Sequence, residues 1–465
     1  MNTTKGFIKS TGIYLLGNIL NKSLSFLLLP IYTAYISPTA FGTYDLNIAY
    51  NTFLFSIVYL DIYGVIMRFM FDYTDDEKNK PIFNGIILFF SSSILYLIGI
   101  MIFGSILGIE YKMLLFALGL SNNLQLIIGY IARAEGKNIV FVLGGIVGSL
   151  TTLVLNIILI VYFNQGYWVL YFSSIIGFLL NAFIIGKNLK LFSRIKFKFF
   201  NSLLFKEMLV YALPLSINSA AYWFLTGFNR VVISNQLSLA ENGFFAVATK
   251  FNAIVQLITQ GFQMAWQELT FSKANTKREE MSRFYSKALN EYINFLYIGI
   301  ILLLPTVKII FPYIIDPQYQ KAINLIPIGI YSTFFSSISS FLASIINTLK
   351  KNKYLFTTTL LAGIVNVVVI LSLINIIGIQ AANISLCIGF FFNVVRRIQL
   401  INKFVRLKIN YKRIIKNTLL FIISSFVYVY GNSISNLLIF FVFILIVIYS
   451  YREKLPSLKD NLIKK

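Results

Sequence analysis

The chain reads as an all-α polytopic membrane protein of about 14 transmembrane helices, and three observations carry that reading. First, 57% of its 465 residues are hydrophobic and only 12% charged, about half the charged share of an ordinary soluble chain. Second, about 14 runs of roughly 20 mainly apolar residues leave no room for a sizeable soluble domain. Third, lysine and arginine crowd into every second gap between those runs, as expected when short basic loops are retained on the cytoplasmic side.

Taken in order, the first half is expected to hold spans near 11–36, 43–66, 83–108, 112–131, 139–163 and 168–187. The apolar stretch after Lys5 and Lys9 continues to about Ile36 with no convincing cleavage site, so it reads as a retained first helix rather than a signal peptide. The second half is expected near 206–235, 241–266, 288–311, 322–347, 354–377 and 379–402, with a last pair near 414–431 and 434–451. This gives an N-terminal six-helix bundle at 1–190, a polar cytoplasmic linker at 191–205, a second bundle at 206–402, and a final helix pair with a basic tail at 403–465. The basic gaps hold Arg133 and Lys137, then Lys187, Lys190, Arg194, Lys196 and Lys198, then Lys350, Lys351 and Lys353. The richest holds Arg396, Arg397, Lys403, Arg406 and Lys408. The gaps between carry almost none: Lys112, Arg230, Lys308 and Lys321. The alternation places both termini in the cytoplasm, and the heavy use of Ile, Asn, Lys and Phe suggests an AT-rich bacterial genome, so a bacterial plasma (inner) membrane is the expected location.

A formal charge of +23 suggests nucleic acid at first sight, but the charges lie beside the membrane, where anionic headgroups favour them. Nucleic acid is therefore not an expected partner; the lipid bilayer is. Histidine is absent and the single cysteine, Cys387, sits in an apolar run, so no zinc constellation or disulfide framework is expected. No loop resembles a catalytic ectodomain, which argues for a transporter rather than an enzyme.

An internal repeat runs through the chain. Gly136-Lys137-Asn138-Ile139-Val140-Phe141 and Lys351-Asn352-Lys353-Tyr354-Leu355-Phe356 each open a span that leads to a mid-span asparagine, Asn156 and Asn366. Each then reaches a turn glycine, Gly166 and Gly378, and an Ile-Gly-Phe at 176–178 and 388–390. Phe41-Gly42-Thr43-Tyr44 matches Asn242-Gly243-Phe244-Phe245. The offset is about six helices, an even number, so the two copies share one orientation about an axis along the membrane normal. Two such parallel six-helix bundles facing one another enclose a central cavity suited to alternating access.

Four segments resemble the Wzx-type oligosaccharide flippases of the MOP (MATE-like) transporter superfamily. Ile36 to Tyr44 is similar to that family's first outer turn, and Leu60 to Phe69 with the acidic run after it to the exit of its second helix. Tyr211-Ala212-Leu213-Pro214-Leu215 and Phe228-Asn229-Arg230 resemble the start and end of its seventh helix, and Tyr319 to Leu386 its tenth to twelfth. Asn229 stands where the family often has an aspartate, which leaves ion coupling open. The resemblance implies an undecaprenyl-diphosphate-linked oligosaccharide as substrate, moved to the outer leaflet for O-antigen (lipopolysaccharide), capsule or another envelope polysaccharide. Other polysaccharide-assembly membrane proteins are then expected partners. No cofactor is expected beyond a coupling ion, H+ or Na+, or the membrane potential.

Charges within spans are costly, about 2.5–3.5 kcal/mol even on insertion scales, and usually face a cavity. Lys22, Lys250 and Arg230, with Arg68 at the inner end of the second span, are the candidate cations for an anionic headgroup. Snorkelling or pairing with a membrane acid explains Lys22 and Lys250 as readily, and a topology anchor explains Arg68. Asp61 and Asp45 are candidates for ion coupling, or for ion pairs that hold helices together. Asn218, Tyr222 and Trp223 offer sugar contacts or packing, and Gln256, Gln260 and Gln263 form a polar stripe along the eighth span. A cation-coupled drug exporter of the same superfamily, a precursor flippase for cell-wall synthesis, and a polytopic polysaccharide polymerase or ligase are the rival readings.

Overall fold

The computed structural model describes residues 26–272, 276–351 and 353–451. Helices dominate and no strand occurs among the described residues. In chain order the first are α1 (Leu29–Tyr35), α2 (Pro38–Val58), α3 (Ile62–Met70), α4 (Asn79–Ile106), α5 (Lys112–Ala134), α6 (Asn138–Asn156), α7 (Trp168–Asn188) and the single turn α8 (Leu191–Arg194). Then follow α9 (Ser202–Thr226), α10 (Phe228–Gln236), α11 (Leu239–Ser272), α12 (Arg278–Ile314), α13 (Ile326–Thr348), α14 (Lys353–Ile377), α15 (Gln380–Asn402), α16 (Tyr411–Tyr430) and α17 (Ser433–Tyr451).

Among the described residues, ten helices are long and apolar enough to cross a membrane, and eleven if the bent pair α2–α3 is one span. The remaining three of the fourteen expected spans have different fates. Most of the first lies outside the described residues, the eighth is the long but more polar α11, and the last is the shorter apolar helix Ser433–Tyr449. The protein is a multi-pass, all-α membrane protein.

The second span, expected as one helix at 43–66, is broken. Leu60 and Asp61 both take left-handed backbone angles (φ 53° and 56°), and the chain bends by 41° before α3 begins. No glycine or proline occupies residues 58–61, so tertiary packing imposes the break, against a local cost of about 1–2 kcal/mol per such residue. Tyr59 supplies that packing. It is fully buried, its hydroxyl lies 3.2 Å from Ser93 Oγ, and its ring packs on Phe89 and Tyr96.

Two compact units make up the chain, one of residues 1–246 and 359–382, the other of residues 247–358 and 383–465. In the first, α6 and α7 meet through small residues, with Gly148 and Gly177 so close that a Cβ on either would lie 2.6 Å from the other's carbonyl oxygen. Lipid gives apolar helices no hydrophobic reason to associate, and such close backbone approach is the usual alternative. The second unit is held by aromatic stacking around Phe341, whose ring lies 4.0 Å from Trp266 and 4.9 Å from Tyr292.

Candidate functional site

Within the first unit, the starts of α2 and α11 cross. Both starts are built alike. Ser37 Oγ accepts a hydrogen bond from the Ala40 amide, and Ser238 Oγ accepts one from the Glu241 amide, the side-chain cap expected of serine at a helix start. Five residues beyond each serine stands a glycine, Gly42 and Gly243, and the two backbones meet there. A Cβ on Gly42 would collide with the Leu239 carbonyl, and one on Gly243 with the Pro38 carbonyl. Residue 38 is to 239 as 42 is to 243, so the contact is reciprocal, as a two-fold relation between the repeats requires. Asn242, fully buried, seals the crossing by donating to the Gly42 carbonyl at 2.8 Å.

Next to this seam lies an ion pair. Arg230 Nε, on α10, donates to Asp45 Oδ2, on α2, at 2.6 Å, and the two side chains are 20% and 14% exposed. Arg230 also donates to the Thr226 carbonyl at 2.9 Å, and its guanidinium stands 5.6 Å from the centre of the Phe245 ring. The structure thus joins two residues that the sequence lists separately, one as a headgroup cation and one as a coupling acid. The neighbouring Asn229 is fully buried and has two jobs. Its Nδ2 donates to the Ala382 carbonyl at 2.9 Å, while its Oδ1 accepts from Asn366 Nδ2 at 2.7 Å. An ionised aspartate could not make the first of these bonds, which explains the asparagine at this position.

The other candidates are spread more widely. Lys22 lies outside the described residues. Lys250 is half-buried on α11 and belongs to the second unit. Arg68 is exposed at the end of α3 and pairs with Asp72 at 2.7 Å. Asp61 sits in the α2–α3 break, half-buried. Trp223 is buried, and its Nε1 donates to the Ala49 carbonyl at 2.8 Å, tying α9 to α2, whereas Asn218 and Tyr222 are exposed. Gln256 and Gln260 are exposed, and Gln263 donates to Ser340 O and Ser344 Oγ in the second unit.

Sequence reasoning passed over two residues. Asn242 belonged to a repeat motif, but only the fold shows its side chain closing the crossing. Arg397, grouped with the loop cations, is instead 6% exposed on α15 and donates to Ser339 O at 2.6 Å, Ser339 Oγ at 2.8 Å and Thr358 Oγ1 at 3.3 Å. Asn393, one turn earlier and also buried, was the available signal that this face of α15 is polar and interior. Among the described residues no cluster of three or more metal-ligating side chains occurs.

Comparison with known proteins places the fold. The fold matches the lipid II flippase MurJ in an inward closed conformation with a TM-score of 0.72, at 15% identity, over 96% of this chain and 100% of that one. An inward-facing multidrug resistance MATE family transporter of the MOP superfamily gives 0.68 at 16% identity, over 86% and 95%. An outward-facing transporter of that family gives 0.58 at 15% identity, over 89% and 96%. No curated protein sequence gives a significant match. A family model described as "Polysaccharide biosynthesis protein" matches residues 7–267, more than half of the chain. With its helices folded as in the MOP-superfamily transporters, the chain belongs to the polysaccharide biosynthesis protein family.

Proposed function

We propose that the protein flips an undecaprenyl-diphosphate-linked oligosaccharide from the inner to the outer leaflet of the plasma membrane by alternating access, with both termini in the cytoplasm. The observation that carries this reading is the reciprocal glycine crossing of α2 and α11 with the Asp45–Arg230 pair beside it. In the topology read from the basic gaps, this seam lies at the outer end of the membrane. A glycan leaving outward requires the seam to part, and the pieces that close it are suited to reversal. Backbone contacts at two glycines and one Asn242 hydrogen bond bury few side chains, and a pair whose charges are both retained can re-form after each cycle.

In this reading the two repeated halves, 1–190 and 206–402, form the walls, and Lys22 and Lys250 meet the diphosphate. Cationic side chains lower the barrier for a strongly anionic headgroup, while the isoprenoid tail stays in the bilayer. Asp45 then serves as the partner of Arg230, and Asp61, placed in a broken span, is the acid available to a coupling ion, since unwound segments inside membranes are common ion sites. The transporter has no catalytic role in glycan synthesis.

Deletion and rescue in the source organism test the proposal. Deletion is expected to trap complete lipid-linked repeat units on the cytoplasmic face, with release by the wild-type gene but not by Lys250→Ala. Unchanged surface glycan together with increased sensitivity to cationic drugs would replace this reading with that of a drug exporter.

A further inference from the structure

In the first unit, away from the seam, a cavity of about 580 Å³ opens between α4, α5, α7 and α8. Its wall is apolar throughout: Phe89, Ile127, Ile128, Ala182 and Leu191 form the buried back, and the exposed rings of Phe90, Phe183 and Phe192 form the rim. Its volume falls in the size range of specific small-molecule sites, about 300–1,000 Å³. The space arises where α7 places small residues, Ala182 and Gly186, opposite the branched side chains of α5. A Cβ added at Gly186 would meet only Ile128 Cδ1, at 3.8 Å.

Two lysines stand next in the chain to residues that line the cavity. Leu179 and Phe183 line it from α7, and Lys187, four residues further along, continues the same helical stripe beyond the apolar wall. Lys190 immediately precedes Leu191 and Phe192, which close the cavity from α8. That turn is held in place by Arg194, whose Nε donates to Asn79 Oδ1 at 2.7 Å and whose Nη1 pairs with Glu135. Lys137 is also engaged, with Glu135 and with the Asn188 carbonyl. Lys187 and Lys190 are both exposed and enter none of the ion pairs among the described residues.

We infer that this is a lipid site, in which one acyl chain of an anionic glycerophospholipid fills the Phe90–Leu124–Phe183 cavity and its phosphate rests on Lys187 and Lys190. The apolar volume selects a hydrocarbon chain, and the two exposed lysines adjacent in the chain to its lining select a negative headgroup over a zwitterionic one. A volume of about 580 Å³ suits a single acyl chain rather than a whole undecaprenyl tail, which favours a bilayer phospholipid over the transported lipid. The site is independent of the seam and of the substrate assigned above.

The test uses the full-length protein in vesicles containing phosphatidylglycerol with a photoactivatable diazirine at the end of one acyl chain, and the cross-linked residues are mapped by mass spectrometry. Adducts are expected to concentrate on Phe90, Leu124 and Phe183, to be displaced by unlabelled phosphatidylglycerol, and to resist phosphatidylcholine. Lys187→Gln with Lys190→Gln should weaken labelling about 30-fold, from the ordinary attraction of two surface lysines for anionic lipid. Gly186→Leu should suppress it by filling the cavity, and the lysine variants keep the test valid if that protein does not fold. Adducts spread evenly over the lipid-facing helices, equal competition by phosphatidylcholine, or stronger competition by undecaprenyl phosphate would each overturn the assignment.

Discussion

Two arginine–aspartate pairs sit near opposite ends of the same bent span, and they are nearly identical in length. Asp45 of α2 meets Arg230 at 2.6 Å, and Arg68 of α3 meets Asp72 at 2.7 Å. What separates them is water. The first pair is 14% and 20% exposed, lies against an aromatic ring, and links residues 185 apart in sequence. The second is about half exposed and joins neighbours one turn apart on the chain. Coulomb attraction at equal distance is several-fold stronger where water is excluded, but so is the cost of leaving either charge alone. A largely enclosed pair therefore acts as a latch between helices, and an exposed one barely constrains its surroundings. Equal geometry does not mean equal consequence.

The largest effect is expected from breaking the buried pair. Arg230→Gln leaves Asp45 without its partner in a mostly enclosed site, which should cost about 3 kcal/mol, the lower end of the range for breaking a buried pair. Thermal unfolding in detergent would show this as a marked drop in Tm, and adding Asp45→Asn to the same protein should recover much of it, because the orphaned charge is gone. Additive losses would show that the two side chains are not coupled. A smaller effect is expected next to the pair. Asn229→Ala removes the amide donor facing the Ala382 carbonyl, a loss of about 1–3 kcal/mol for one buried unsatisfied group. Asn229→Gln would sharpen the point, since it keeps the donor but lengthens the arm. The least is expected from Arg68→Gln, within about 0–1 kcal/mol, and raising the salt concentration should shrink even that. A drop in Tm for Arg68→Gln as large as that for Arg230→Gln would break the comparison.

Much of the fold was legible because the bilayer imposes simple rules. Apolar length and basic loops marked the spans, and the repeat was visible in short motifs such as Phe41-Gly42 and Asn242-Gly243. The break at Leu60–Asp61 was not, because nothing in those residues breaks a helix; Tyr59 and its aromatic neighbours on α4 do. The site was legible residue by residue but not as pairs. Asp45 and Arg230 each stood out as charges in apolar runs, yet their contact spans 185 residues and depends on how α2 and α10 pack. Arg397 misled for the opposite reason: its sequence neighbours are loop cations, and only the helix face it shares with Asn393 turns it inward. Asn229 looked like the loss of an acid and is better understood as the gain of a donor.

The central claim is that the seam between α2 and α11 opens during transport, and a distance measurement tests it most directly. Spin labels at Thr39→Cys and Asn235→Cys, both exposed and flanking the seam, would be placed in a Cys387→Ser protein in vesicles. Pulsed electron resonance should show one short distance in the resting protein, and a second, longer population when lipid-linked oligosaccharide is supplied. A single short distance that persists while the same preparation flips its substrate would contradict the account.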